Sequence, residues 1–125
     1  MEQNHRDEST SIQSIKETIR EFCEERDWGQ FHNPKDLAIG IMTEAAELLE
    51  LFRFKTQVDM DFIMNDPDQR QKVGQELADI LYFLIRFSEK YEYDLTRQFY
   101  QKMAENEKKY PVDRFKGSNK KYSED

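Results

Sequence analysis

The sequence predicts an all-α protein, a compact four-helix bundle with a short extra helix. Three observations carry this reading. Only four glycines and three prolines interrupt 125 residues. Two dense apolar stretches, 37–54 and 77–87, show no strand-like alternation. Two of the candidate helices open on a capping residue followed by proline, Asn33-Pro34 and Asp66-Pro67. No solenoid-type repeat appears.

Residues 1–10 are polar and are expected to form a flexible N-terminus. The first helix is expected from Ser11 to about Arg26, where Ile12, Ile15, Ile19 and Phe22 form one narrow apolar stripe. Ser9, Thr10 or Ser11 caps its start. Asp27 to Asn33 is a connector holding Trp28, Gly29, Phe31 and His32. Asn33 then caps a second helix that runs to about Phe54 and is apolar almost all round, a pattern of a central helix packed on several sides. Lys55 to Asn65 reads as a connector with a helical turn around Asp59–Met64. Asp66-Pro67 starts a third helix, to about Tyr91, that repeats the layout of the second. A fourth begins near Asp94, carries Leu95, Phe99 and Met103 at spacing four, and is stopped by Pro111. The helical domain is thus 11–111, and 112–125 is a basic, polar tail with Arg114, Lys116, Lys120 and Lys121.

The composition excludes several classes of function. A net charge of −7 argues against a nucleic-acid or anionic-membrane surface. Cys23 is the only cysteine, so an intramolecular disulfide is impossible. No apolar run spans a membrane, and the start of the chain lacks a signal-peptide core. A cytoplasmic protein is expected. Its core is modest for its length, so a homo-oligomer, dimer or tetramer, is expected as well.

The chemistry lies in two acid pairs. Glu44-Ala45-Ala46-Glu47 and Glu76-Leu77-Ala78-Asp79 each set two carboxylates three positions apart, neighbours on a helix. At ~100° per residue, Glu44 and Glu47 share a face with Leu37, Ile41, Leu48 and Leu51. Glu76 and Asp79 fall beside Val73, Ile80, Phe83 and Phe87. Four acids cannot be buried together as bare anions, because each pays a large desolvation cost. A divalent metal resolves this, and oxygen ligands without Cys or His point to Mg²⁺, with Mn²⁺ as the substitute. A di-iron bundle normally uses Glu-x-x-His motifs. The only histidines, His5 and His32, are not placed that way. Magnesium held by carboxylates keeps positions for water and substrate phosphates, which fits hydrolysis of a phosphoanhydride.

The Glu-x-x-Glu, long gap, Glu-x-x-Asp signature resembles the all-α nucleoside triphosphate pyrophosphohydrolases, the MazG-like superfamily. Further segments resemble its dCTP pyrophosphatase branch. Glu25 to Pro34 is similar to the stretch preceding the first metal helix. Phe52-Arg53-Phe54-Lys55 is similar to Phe-x-Trp-Lys, Asn106-Glu107-Lys108-Lys109-Tyr110-Pro111 to Asn-x-x-x-Tyr-Pro, and Lys120-Lys121-Tyr122 to a basic-aromatic tail. The resemblance covers roughly Ile12 to Tyr122.

The resemblance implies cleavage of a nucleoside triphosphate between its α and β phosphates, giving a monophosphate and pyrophosphate. It makes Glu44, Glu47, Glu76 and Asp79 the metal ligands and catalytic acids. One of them, with Glu47 the first candidate, takes a proton from the attacking water. It gives Asn106, Lys109 and Tyr110 phosphate or sugar contacts, and gives Lys121 and Tyr122 closure over the triphosphate, from the same or a neighbouring subunit. Lys55 joins the substrate contacts. Trp28, Phe31, His32, Phe54 and Phe83 form the base-recognition set, in which aromatic faces stack and His32 offers hydrogen bonds. Phe54 stands where the dCTP branch often has Trp, and Phe83 where Tyr occurs. Both keep a stacking face and lose a polar handle. The implied substrate is dCTP, with other (deoxy)nucleotides behind it, and the implied role is nucleotide pool cleansing. Hydrolysis of dUTP or phosphoribosyl-ATP on the same fold, and a non-catalytic helical module with a structural metal, stand as the alternatives.

Overall fold

A computed structural model describes residues 4–124 of the protein. Among these residues there is no strand. Six α-helices follow in order: α1 (Ile12–Glu25), α2 (Pro34–Glu50), α3 (Gln57–Asn65), α4 (Pro67–Lys90), α5 (Leu95–Lys109) and α6 (Val112–Phe115). Three 3-10 turns, Asp7–Ser9, Gly29–Phe31 and Tyr122–Glu124, complete the set. The described chain divides into two compact units, the first ending at Glu92 and the second beginning at Tyr93.

Side-chain caps fix the helix starts. Ser11 accepts from the Ser14 amide at 3.0 Å, Asn33 from Asp36 at 2.8 Å, Asp66 from Gln69 at 3.0 Å and Asp94 from Arg97 at 3.0 Å. Each satisfies an amide that the helix itself leaves without a partner. Thr56 and Asp59 form a reciprocal capping box, which turns the expected helical turn into the nine-residue helix α3.

Three ends are closed without glycine. Asp27, Phe54 and Glu92 follow α1, α2 and α4 with φ of 52°, 62° and 60°. This left-handed conformation stops a helix but is unfavourable for residues with a Cβ. One expectation is corrected: α2 ends at Glu50, not near Phe54, because the Leu51 and Phe52 amides bond back three residues, to Leu48 and Leu49, and tighten Leu51–Phe54 into a turn that Phe54 ends.

In the first unit α4 is the hub, with α1, α2 and α3 packed on it. The residue pattern puts the second helix in that place, and the packing puts α4 there instead. Only Leu37 of α2 is fully buried, whereas Ile39, Met42 and Leu49 are exposed. The apolar girth of α2 is thus half used within one chain. The core consists of Ile19, Cys23, Leu37, Ile63, Val73 and Ile85. Each large side chain there contributes about 1.5–3 kcal/mol of transfer free energy.

Of the N-terminal stretch 1–10, residues 1–3 lie outside the described residues, and the Ser9 amide donates to the Arg6 carbonyl at 3.1 Å to close the first 3-10 turn. The 112–125 stretch holds α6 and a 3-10 turn, and Asp125 lies outside the described residues.

Candidate active site

α2 and α4 run antiparallel: Gly40 meets Phe83 at one level, and Glu44 and Glu47 meet Glu76 at the next. The close approach has a local cause. A Cβ at Gly40 would lie 2.5 Å from two carbons of the Phe83 ring, so only glycine lets the helices approach here. One turn further along α2, each of Glu44, Glu47 and Glu76 offers a carboxylate oxygen, and the three oxygens lie within 4.8 Å of one another.

The electrostatics of this cluster are those of anions without counter-charge. Glu44 and Glu76 are half-buried, and Oε2 of each is fully buried with no hydrogen-bond partner. Burial first, then the adjoining Glu47 carboxyl, then the charges of Asp79 and Glu76 push the Glu44 pKa up to about 7. Glu76 is raised by burial, then by the charge of Glu47. The charged groups acting on Glu44 are all carboxylates. Orphaned buried oxygens that repel one another fit a hard divalent cation, which takes oxygen ligands and cancels the repulsion.

The burial expected for all four acids holds only in part. Glu47 and Asp79 are exposed, and Asp79 lies outside the three-oxygen cluster, one turn beyond Glu76. It still acts on Glu44 and Glu76 through its charge.

The expected base-recognition residues separate into two places. A chain of edge-to-face rings runs from Trp28 to Phe22 at 5.4 Å, from Phe22 to Tyr82 at 6.1 Å, and from Tyr82 to Phe83 at 5.0 Å. It ties the 28–33 connector to α4 beside the acids. Phe31 is exposed, in the 3-10 turn just before His32. His32 is held from α4: Arg86 Nε donates to its Nδ1 at 2.9 Å, and Lys90 Nζ donates to its carbonyl and to that of Gly29.

Phe54 lies elsewhere, 89% exposed, with the Arg53 guanidinium 4.6 Å from its ring centre. Lys55 lines a cleft with Leu51, Phe62 and Gln69, at the start of α4. From Gln69 to Phe83 is 14 residues, roughly 21 Å along a helix. Within one chain, Phe54 and Phe83 therefore sit toward opposite ends of the α2–α4 pair.

Asn106, Lys109, Tyr110, Lys121 and Tyr122 belong to the second unit. There the Tyr122 ring lies 5.0 Å from Lys109 Nζ and 6.1 Å from the Tyr110 ring. Tyr110 also meets Phe115 at 4.9 Å. The Tyr110 amide donates to the Asn106 carbonyl at 2.9 Å and ends α5.

Residue patterns alone missed two groups. Gly40 was visible only as a lone glycine inside a helical run with no capping role. Arg86, Glu89 and Lys90 are charges at helical spacing at the end of an apolar stretch; Arg86 is buried and its Nη1 lies 2.5 Å from Glu89 Oε2.

Comparison with known proteins adds an independent line. The model of the MazG-like family matches residues 39–124. The chain is 34% identical over 114 residues to dCTP pyrophosphatase 1 of Rattus norvegicus, spanning 91% of this chain and 67% of the relative. It is 33% identical, with the same coverage, to dCTP pyrophosphatase 1 of Homo sapiens. The crystal structure of a pyrophosphatase from Archaeoglobus fulgidus superposes with a TM-score of 0.73 at 32% identity, covering 89% of this chain and 98% of the other.

Proposed function

The chain belongs to the MazG-like family, and we propose from that premise that it is a metal-dependent nucleoside triphosphate pyrophosphohydrolase with dCTP as its first substrate. The observation that carries the reading is the pair of buried, partnerless oxygens on Glu44 and Glu76, whose carboxyl groups cluster with that of Glu47 where α2 meets α4.

Glu44, Glu47 and Glu76 hold the ion, and Asp79 adds charge one turn away. Mg²⁺ is the fitting ion, since all donors are carboxylate oxygens, and Mn²⁺ substitutes. When bound, the ion offsets the negative charge of the phosphates and polarises a phosphoryl oxygen. A chain of net charge −7 repels a free polyphosphate, and the ion offsets that repulsion at the site.

The reaction is attack of water on the α phosphorus. A new P–O bond forms, the bond to the bridging αβ oxygen breaks, and pyrophosphate leaves. Glu47 takes the proton of the water, being the exposed member of the cluster and so open to solvent. Trp28, Phe31 and Phe83 supply the stacking surface beside the acids, with His32 at its edge. Resemblance to the family favours Asn106, Lys109, Tyr110, Lys121 and Tyr122, from this copy or a neighbouring one, as phosphate and sugar contacts.

Two features support a homo-oligomer. Ile39, Met42 and Leu49 on α2 and Leu77, Leu81 and Leu84 on α4 are exposed apolar side chains, enough to form a buried seam between copies. Phe54 and Lys55 lie away from Phe83 in one chain, which favours a base site shared between copies. No helix of the described residues is long and apolar enough to cross a membrane. The setting that suits such an enzyme is the cytoplasm, where it removes excess or damaged nucleotides before polymerases use them.

The test is pyrophosphate release from a panel of canonical and modified (d)NTPs, including dUTP, with Mg²⁺ and with EDTA. Metal-dependent release led by dCTP is expected. Release led by dUTP moves the base assignment, and no release from any of them leaves a metal-stabilised helical module.

A further inference from the structure

The tie between Arg86 and His32 plays no part in the hydrolysis itself, and its chemistry is one-sided. A guanidinium only donates hydrogen bonds. The ring nitrogen it faces, His32 Nδ1 at 2.9 Å, therefore carries a lone pair. A neutral imidazole with a lone pair on Nδ1 has its proton on Nε2. The ring is held neutral by burial, then by the positive charges of Arg86 and Lys90, all of which lower its pKa. Arg86 cannot swing away easily: it is 5% exposed and paired with Glu89. Lys90 clamps the carbonyls of Gly29 and His32, so the backbone of the connector is fixed too. The ring then has a single polar atom left for a ligand, the Nε2–H donor.

We propose that Arg86 is a positioning residue that locks His32 as an Nε2–H donor, and that this donor selects a pyrimidine with an acceptor at N3. The proposal rests on the nucleotide-hydrolase reading and deepens it. Cytosine offers acceptors at N3 and O2. Thymine and uracil keep the O2 acceptor but carry a hydrogen on N3, so an Nε2–H set at N3 opposes two donors there and pairs with a lone pair in cytosine. An imidazole free to change tautomer would serve both bases, accepting from one and donating to the other. A locked one discriminates, because a donor left facing a donor loses its hydrogen bond in a partly buried place.

The test uses the full chain carrying His5→Gln, which leaves His32 as the sole imidazole of the two in the sequence. Long-range ¹H–¹⁵N NMR reads the protonated ring nitrogen directly. Titration with dCMP and with dTMP then reads base contact without requiring turnover. Expected are a proton on Nε2 and none on Nδ1, and binding of dCMP about tenfold or more tighter than of dTMP, the size of a lost hydrogen bond. Arg86→Gln combined with Glu89→Gln removes both charges together, so neither is left bare. In it the tautomers mix and the dCMP preference falls by about the same factor. Arg86→Lys, still a donor only, keeps the Nε2–H form.

A proton on Nδ1 in the His5→Gln chain overturns the proposal. So does an absence of preference for dCMP in that chain, or an unchanged tautomer and preference in the double variant. The first two readouts need no change at Arg86, so a variant that fails to fold does not shelter the idea. Pyrophosphate release measured in parallel separates the two failures. A chain that releases none while His32 still tells dCMP from dTMP loses the reaction and keeps the positioning role. A chain that turns over with an indifferent His32 does the reverse.

Discussion

Gly40 on α2 and Phe83 on α4 are in such close contact that the smallest side chain does not fit between them: a Cβ at position 40 would stand 2.5 Å from the ring. This contact sets the helix spacing one turn away from Glu44, and so sets how near the carboxylates of α2 come to Glu76. Gly40→Ala is expected to destabilise the protein by about 1–3 kcal/mol through overpacking, offset by up to about 1 kcal/mol of helix propensity. It should also weaken metal binding. Phe83→Leu in the same chain should recover much of the stability. Thermal melts with and without Mg²⁺ check both; a Gly40→Ala protein as stable and as metal-responsive as the parent would show that the spacing is set elsewhere.

Glu44 makes the metal-free protein sensitive to pH in an unusual direction. Its folded pKa is raised, to about 7, from an ordinary 4.5. Between these values the unfolded chain has lost the proton and the folded chain keeps it. Stability is therefore expected to fall as pH rises from about 4.5 to 7, the reverse of a salt-bridged acid. Metal binding competes with that proton and should strengthen over the same range. Melting curves in EDTA at pH 5, 6, 7 and 8 read the slope, and Glu44→Gln should flatten it. A slope of opposite sign would mean the carboxylates are paired with cations.

Glu47→Gln separates chemistry from folding. It removes the proposed proton acceptor and one repelling charge, so turnover should fall by about 10²-fold or more while the metal-free melting temperature holds or rises. A sharp loss of metal-free stability would instead assign Glu47 a structural pairing.

Phe54 combines a strained backbone with a ring that is almost wholly exposed. Such strain persists where something other than stability keeps it. Phe54→Gly should stabilise the turn by about 1 kcal/mol, since glycine accepts positive φ freely. If the ring stacks on a base, the same change should raise KM more than it lowers kcat. Unchanged KM would remove Phe54 from the nucleotide site.

Helix starts were legible in the residues because capping is local: Ser11, Asn33-Pro34, Asp66-Pro67 and Asp94 each act on an amide three positions away. Helix ends were less so. Asp27, Phe54 and Glu92 close α1, α2 and α4 without glycine, and a left-handed Phe leaves no mark in composition. The acid pairs were legible as spacing, and Glu44, Glu47 and Glu76 do converge. Their burial was not, because apolar neighbours on a helical wheel do not say which neighbours another helix covers. The Arg86–His32 tie spans 54 positions and depends on how the 28–33 connector docks, which no local pattern encodes. For the same reason the place of α4 as hub emerged only with tertiary packing.

The most direct measurement is product analysis of dCTP with Mg²⁺, comparing the parent with a Glu44→Gln, Glu76→Gln chain shown to be folded. The parent is expected to give dCMP and pyrophosphate in equal amounts, with none in EDTA and none from the variant. Parent-like turnover by the variant, or release of single phosphate in place of pyrophosphate, would contradict it.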